Sequence, residues 1–178
     1  AITILGLAVG ISSCLLLWLF VSNELSYDAQ HSKSDRLYRV TSTMTLSGET
    51  MALARSSWMI PPVLKKDYPE IEEAVHLVPM QKQTVWFGDK VFQYEKTWFT
   101  EAAFFKMFDY TFIEGNPFTA LAEPYCVVIT DEVAKQYFGT TQGVLGKMLQ
   151  FSKSPYKITG VVKNQPNSSH LVWEMLLS

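Results

Sequence analysis

The chain has 178 residues, a formal net charge of −2 and 18% charged residues. This balance lacks the basic excess of a nucleic-acid footprint, so no nucleic-acid partner is expected. Apolar residues make up 48% and aromatics 13%, which is enough for a packed core.

Residues 1–21, AITILGLAVGISSCLLLWLFV, carry no charge. As a helix they would reach about 31 Å, the thickness of a bilayer's hydrocarbon core. A soluble core helix of that length would show a polar stripe, and this one shows none. A secretory leader would need a basic start and a small-residue cleavage site. Trp18, Leu19, Phe20 and Val21 stand where that site would fall. An uncleaved transmembrane helix over residues 1–22 is therefore expected, with its upstream flank missing because the chain starts inside the apolar run. Gly6, Gly10 and Cys14 recur every four residues and so share one face, a GxxxG-type surface on which another helix can pack. Trp18 suits the interface, and Asn23, Glu24 and Asp28 precede the first base at Lys33, which assigns the following residues to the non-cytoplasmic side.

Residues 23–35 read as a polar connector with a short helical turn. Residues 36–45 alternate in strand fashion, and Ser47-Gly48-Glu49 marks a turn. A helix is predicted over 57–68, with Pro61 and Pro62 in its first turn and Pro69 ending it. A short strand follows at 75–78. Residues 84–87 and 91–95 flank Gly88-Asp89 as a hairpin. Thr100 is placed to cap a helix through residue 108, whose Phe104, Phe105 and Phe108 form a buried stripe.

Residues 110–113 read as a strand and 118–121 as a helical turn. The run 127–129 is wholly apolar and should be a central strand. Thr130 caps a helix over 131–138, with Val133, Ala134 and Tyr137 inward and Gly139 just past its end. Residues 148–151 and 156–162 make a strand pair, and 171–177 a last strand cut short by the end of the chain. Strands and helices mix without strict alternation, so the fold class is α+β, with a mixed-sheet extracytoplasmic domain in one or two lobes after the helix.

The candidate chemistry is thin. Gly139, Gly143 and Gly146-Lys147 look like a phosphate loop, but Thr141 stands where its first glycine belongs and Met148 follows the lysine. His31, His76 and His170 are scattered without acidic partners at ligand spacing and read as surface or loop residues. Glu70, Glu72 and Glu73 read as a solvated helix end. No serine has a nucleophile-elbow setting. Asn167-Ser168-Ser169 matches a glycosylation acceptor, a short signal. Cys14 and Cys126 lie in separate apolar runs and are not expected to pair. No catalytic, cofactor or metal site is expected.

The order of segments resembles the MacB-like periplasmic core domain of FtsX-like ABC transporter permeases, in the style of Bacteroidota. The resemblance starts at residues 4–11 and continues through Glu24-Leu25-Ser26-Tyr27-Asp28, His31 and the run 35–40, DRLYRV. It returns at residues 67–71, at the Phe104 to Phe108 aromatics, at TDEVAKQYFG (130–139), at Gly146-Lys147 and at YKITGVV (156–162). Pro166 and Ser168-Ser169-His170 close it.

The resemblance implies a permease subunit with a first membrane helix (1–22), a connector (23–35) and a C-terminally incomplete periplasmic core domain (36–178). It implies that this part is not an enzyme, that a separate or fused cytoplasmic ABC ATPase hydrolyses ATP, and that the domain couples this to export or mechanical work. The implied partners are the lipid bilayer, the remaining permease helices, a second permease subunit and an outer-membrane or periplasmic protein. The implied location is the cell inner membrane, with residues after about 22 in the periplasm. Glu24, Tyr27, Asp28, Arg36, Tyr38 and Arg39 would form the coupling link, since a short link carries displacement better than a flexible one. The competing reading is a membrane-anchored ligand-sensing domain. A tethered hydrolase would need a nucleophile and base that the sequence does not show.

Overall fold

The computed structural model describes residues 2–25, 28, 30–152, 154–166 and 169–178. The apolar run forms helix α1 (Ile2–Leu25) of 24 residues, about 36 Å long. Its stretch Gly6–Leu25 is apolar and long enough to cross a bilayer, and none of it is buried by the rest of the chain. The helix continues past Val21 because nothing in Ser22, Asn23, Glu24 or Leu25 breaks it.

A single 3-10 turn (Ser34–Arg36) leads into an extended segment, and strand β1 begins only at Ser42 (Ser42–Leu46). The alternation at 36–45 therefore predicted a strand several residues too early. β1 pairs with β2 (Glu49–Leu53) through the turn at Ser47 and Gly48, both at positive φ. This hairpin is a sheet by itself. Helix α2 (Ile60–Asp67) follows, with Pro61 in its first turn and Tyr68 already extended before Pro69.

The remaining strands are β3 (Val78–Pro79), β4 (Gln83–Phe87), β5 (Lys90–Tyr94), β6 (Thr97–Phe99), β7 (Phe112–Gly115), β8 (Cys126–Thr130), β9 (Met148–Phe151), β10 (Pro155–Val162) and β11 (Met175–Leu177). They form a nine-stranded mixed sheet in the order β3-β6-β11-β8-β10-β9-β4-β5, with β7 also paired to β10. β10 is long enough to take β9 along its first half and β7 along its second. The β4–β5 turn carries Gly88 at φ +56, which explains the glycine there.

β8 sits in the middle and is buried along its whole length. Alternation sends its side chains to both faces of the sheet. Val127 and Ile129 join Val133, Ala134 and Tyr137 of helix α4 (Asp131–Phe138) on one face. Val128 joins Phe104 and Phe105 of helix α3 (Phe104–Met107), with Trp173 and Leu176, on the other. A layer of one short helix on each face explains why this strand carries no polar residue before Thr130.

Three local expectations fail for tertiary reasons. Thr100 does not cap α3, which is a four-residue helix starting at Phe104. Its hydroxyl instead donates to the His76 carbonyl at 2.7 Å, and its N–H to that of Leu177 at 2.9 Å. Thr130 occupies the N-cap position of α4 in extended backbone, but its side chain makes no capping bond. The strand expected at 171–177 shortens to β11, because only Met175, Leu176 and Leu177 reach both β6 and β8. Gly139 does end α4 in left-handed backbone at φ +71.

Candidate functional site at the connector

The connector between α1 and β1 is pinned to the domain by side chains from distant parts of the chain. Asp28 adopts φ +56, a left-handed conformation that aspartate tolerates better than most residues. Its Oδ1 accepts from the Ser169 hydroxyl and the His170 N–H, both at 3.0 Å. Its Oδ2 lies 2.8 Å from His170 Nδ1. Burial works to raise the Asp28 carboxyl, but His170 and Ser169 outweigh it and hold it below the ordinary carboxylate range.

His31 is 1% exposed. Of the surface or loop positions expected for it, it takes the loop one, but buried. Its Nδ1 accepts the Asp109 N–H at 3.1 Å, so the neutral ring carries its proton on Nε2. Nε2 is buried and has no hydrogen-bond partner among the described residues. The ring lies edge-on to Phe108, with centroids 5.3 Å apart, and tilted against Tyr110 at 5.7 Å. Ser32 N–H closes the exchange by donating to Asp109 Oδ2 at 2.6 Å. Hydrogen bonding from the Ser32 side chain, followed by this N–H, leads the causes that hold the Asp109 carboxyl below its ordinary range. Burial pushes the His31 pKa down, and the charges of Asp28 and Asp109 offset this only in part.

Further along, Lys33 Nζ donates to the Lys106 carbonyl at 2.7 Å, and Arg36 pairs with Glu72 at 3.0 Å. The Arg36 pair is exposed on both sides and contributes little by itself. Glu73 joins Lys65 at 2.6 Å and Lys106 at 3.2 Å, with the Lys65 hydrogen bond leading the effects that lower its pKa. Glu72 and Glu73 of the acidic run thus carry ion pairs to Arg36, Lys65 and Lys106, more than a solvated helix end would need, while Glu70 is exposed.

The residues proposed from sequence as a coupling link are only partly brought together. Asp28 makes the contacts above and Arg36 the Glu72 pair. Glu24 lies at the exposed end of α1 and Tyr38 is 84% exposed. Arg39 donates to the Ala54 carbonyl at 3.3 Å, tying the extended segment to the end of the hairpin. Tyr27 lies outside the described residues, as do Asn167 and Ser168 of the glycosylation signal. Gly6, Gly10 and Cys14 are exposed along α1, and a Cβ added to either glycine would meet nothing within 4 Å.

Ser32, Asp109, Ser169 and His170 were not assigned this role by the sequence. Asp28 and Ser169 are 141 residues apart, and no spacing rule links them. His76 lies in a loop before β3, as expected, but is engaged there: its Nδ1 lies 2.5 Å from Glu101 Oε1, and the Trp58 ring lies tilted against its own with centroids 4.3 Å apart. Among the described residues no cluster of three or more His, Cys, Asp or Glu could hold a metal. The glycine loop after α4 is filled from within, because Glu114 accepts the N–H groups of Gly143 at 2.6 Å and Val144 at 3.3 Å. A carboxylate of the chain takes the position an anion would need there.

An apolar helix, a short pinned connector and a mixed-sheet domain with one helix on each face define a helix-anchored extracytoplasmic type of module. The chain belongs to the MacB-like periplasmic core domain family, which matches residues 1–173. It is therefore a MacB-like periplasmic domain of the ABC transporter permease type. Among solved structures it is similar to a domain of a protein described as a permease from Porphyromonas gingivalis, at 26% identity and TM-score 0.63, covering 72% of this chain and 55% of that one. Likenesses also extend to the periplasmic region of MacB from Actinobacillus actinomycetemcomitans (18% identity, TM-score 0.48, 65% and 51% covered). The extracellular domain of the noncanonical ABC-type transporter YknZ from Gram-positive bacteria is similar at 16% identity and TM-score 0.45, with 58% and 52% covered. The chain spans about half the length of each of these solved chains. No curated protein matches it.

Proposed function

We propose that the chain is the first span and outer domain of an ABC transporter permease subunit in the inner membrane. In this reading residues 1–22 cross the bilayer, 23–35 connect, and 36–178 are periplasmic. The domain couples ATP hydrolysis by a cytoplasmic ABC ATPase to export or mechanical work at the outer face. It performs no catalysis itself. Gly6, Gly10 and Cys14 give α1 a face for the remaining permease helices, and a second permease subunit and an outer partner complete the assembly.

The observation that carries this reading is the attachment of the connector. Asp28 is held by Ser169 and His170, and Ser32 and His31 by Asp109. A displacement of α1 along its axis is then handed to the segments before β11 and after α3, both of which lead into the sheet. Charge-assisted hydrogen bonds of this kind contribute about 1.5–3 kcal/mol each where water is excluded. Asp28 keeps 30% of its side chain exposed, so its share is at the lower end.

The test is a flexible Gly/Ser insertion directly after Leu25 in the full permease. Such a chain is a random coil whose ends move independently. ATP hydrolysis by the assembled transporter is expected to persist while transport collapses, with thermal stability matching the parent. Transport at the parental rate would show a passive tether and overturn the reading. A ligand-sensing domain would instead keep its ligand binding and have no transport to lose.

A further inference from the structure

We propose that His31 is the proton-sensitive catch of a latch that fastens the connector to the outer domain. Nδ1 must be unprotonated to accept the Asp109 N–H at 3.1 Å. Adding a proton there sets two donors against each other and removes that bond. Nε2 is already buried with no partner among the described residues, and none of them offers the imidazolium a compensating acceptor on that side. Only the neutral ring fits the closed latch.

The surrounding groups set the balance. From the connector side, Asp28 and Lys33 are the charged neighbours, and Asp28 is already engaged by Ser169 and His170. From the segment after α3 come Asp109, whose Oδ2 holds Ser32, and Tyr110, whose phenol is pushed up to about 12 by burial and stays neutral. Phe108 and Tyr110 cover the ring and keep water from it. The two carboxylates favour a proton on His31, but burial outweighs them and its pKa falls below the ordinary 6.5. An opened connector exposes His31 and restores that ordinary value. Protons therefore bind the open form better, and acid releases the latch. The sign follows from linkage: the open population rises by up to about tenfold per pH unit as pH falls from 6.5 toward the closed-state pKa, and then levels.

Asp28 carries φ +56 next to the end of α1, and it persists there through its bonds to Ser169 and His170. Strain of that kind is relieved when the connector lets go. The Ser32 and Asp109 amides, both donors in the closed form, report the event directly.

This inference rests on the connector being the coupling element only for its biological meaning, not for its test. The experiment is hydrogen exchange on the full permease in lipid nanodiscs from about pH 8 to about pH 5, with rates corrected for their intrinsic pH dependence. Protection of the Ser32 and Asp109 amides is expected to fall as pH drops below 6.5, by up to about tenfold per pH unit, while amides of β8 stay constant. His31→Asn supplies a carbonyl oxygen at the Nδ1 position and cannot titrate, so its protection is expected to be flat with pH. His31→Phe fills the pocket without an acceptor and is expected to be open at every pH. A flat profile in the parent, or an undiminished pH response in His31→Asn, overturns the latch. Neither result bears on the Gly/Ser insertion, which reads transport and not protonation.

Discussion

Val127, Val128 and Ile129 of β8 have no solvent exposure, whereas every residue of β1 but Ser42 and every residue of β2 but Leu53 is exposed. The first group is fixed by apolar surface removed from water on both sides of a sheet. The second, together with the connector before it, is positioned by hydrogen bonds and ion pairs near the surface. Apolar burial is non-directional, large in sum and indifferent to pH. Polar fastening is local, worth a few kcal/mol in total, and responds to protonation. One chain thus joins a rigid body to an adjustable attachment, and the attachment is the part adjacent to the apolar helix. The two regions meet at Phe104. Its ring stacks on Tyr110 with centroids 5.5 Å apart and lies 4.8 Å from Phe108, and those two rings also cover His31.

The sharpest way to break the comparison is at that meeting point. Phe104→Ala deletes a fully buried ring from the core face beneath α3. It is expected to cost about 3–5 kcal/mol of global stability. It should also loosen the connector, read as a fall in denaturation midpoint together with faster exchange at Ser32. A loss of stability with an unchanged connector would mean that the two regions are independent.

A smaller effect is expected from Asp28→Asn, which keeps the shape but removes the charge facing His170. Global stability should fall by about 1 kcal/mol or less, because half the site stays open to water. Limited proteolysis should nevertheless cut the connector faster. The acid profile gives a second reading. Asp28 and Asp109 have pKa values below their ordinary 3.8, so their stabilising effect is fully present above that pH and is lost as pH falls through the folded-state values. Asp28→Asn should flatten part of this acid loss. An identical acid profile in parent and variant would remove Asp28 from the attachment.

The smallest effect belongs to the hairpin. Met44→Thr exchanges an exposed side chain opposite Met51 for a good strand former. A change within about 0.5 kcal/mol is expected from chemical denaturation. A loss of 2 kcal/mol or more would show that the hairpin face is packed in the assembled protein.

Sequence alone carried those parts of the fold whose cause is local. The apolar run of α1, the buried strand β8, the Gly88-Asp89 hairpin and the Gly139 end of α4 all follow from composition, periodicity or a single left-handed glycine. The inward face of α4, with Val133, Ala134 and Tyr137, was legible from helical spacing. The resemblance to the family rested on the order of segments, and the match over residues 1–173 agrees with it.

Tertiary structure decided what depends on distant partners. β6 is three residues long and exists because β3 and β11 pair with it on either side. Gly115 and Gly160 face each other across β7 and β10, where a Cβ on Gly115 would strike the Thr159 carbonyl and one on Gly160 would come within 2.7 Å of Phe112, a close approach no local pattern shows. His31 read as a surface or loop residue, and its burial within the loop was hidden because it comes from Phe108, Asp109 and Tyr110, more than seventy positions later. Asp28 gave no hint of Ser169 and His170 for the same reason. Periodicity and capping rules act over a few residues, whereas the closure of a sheet brings together groups that sequence distance keeps unrelated.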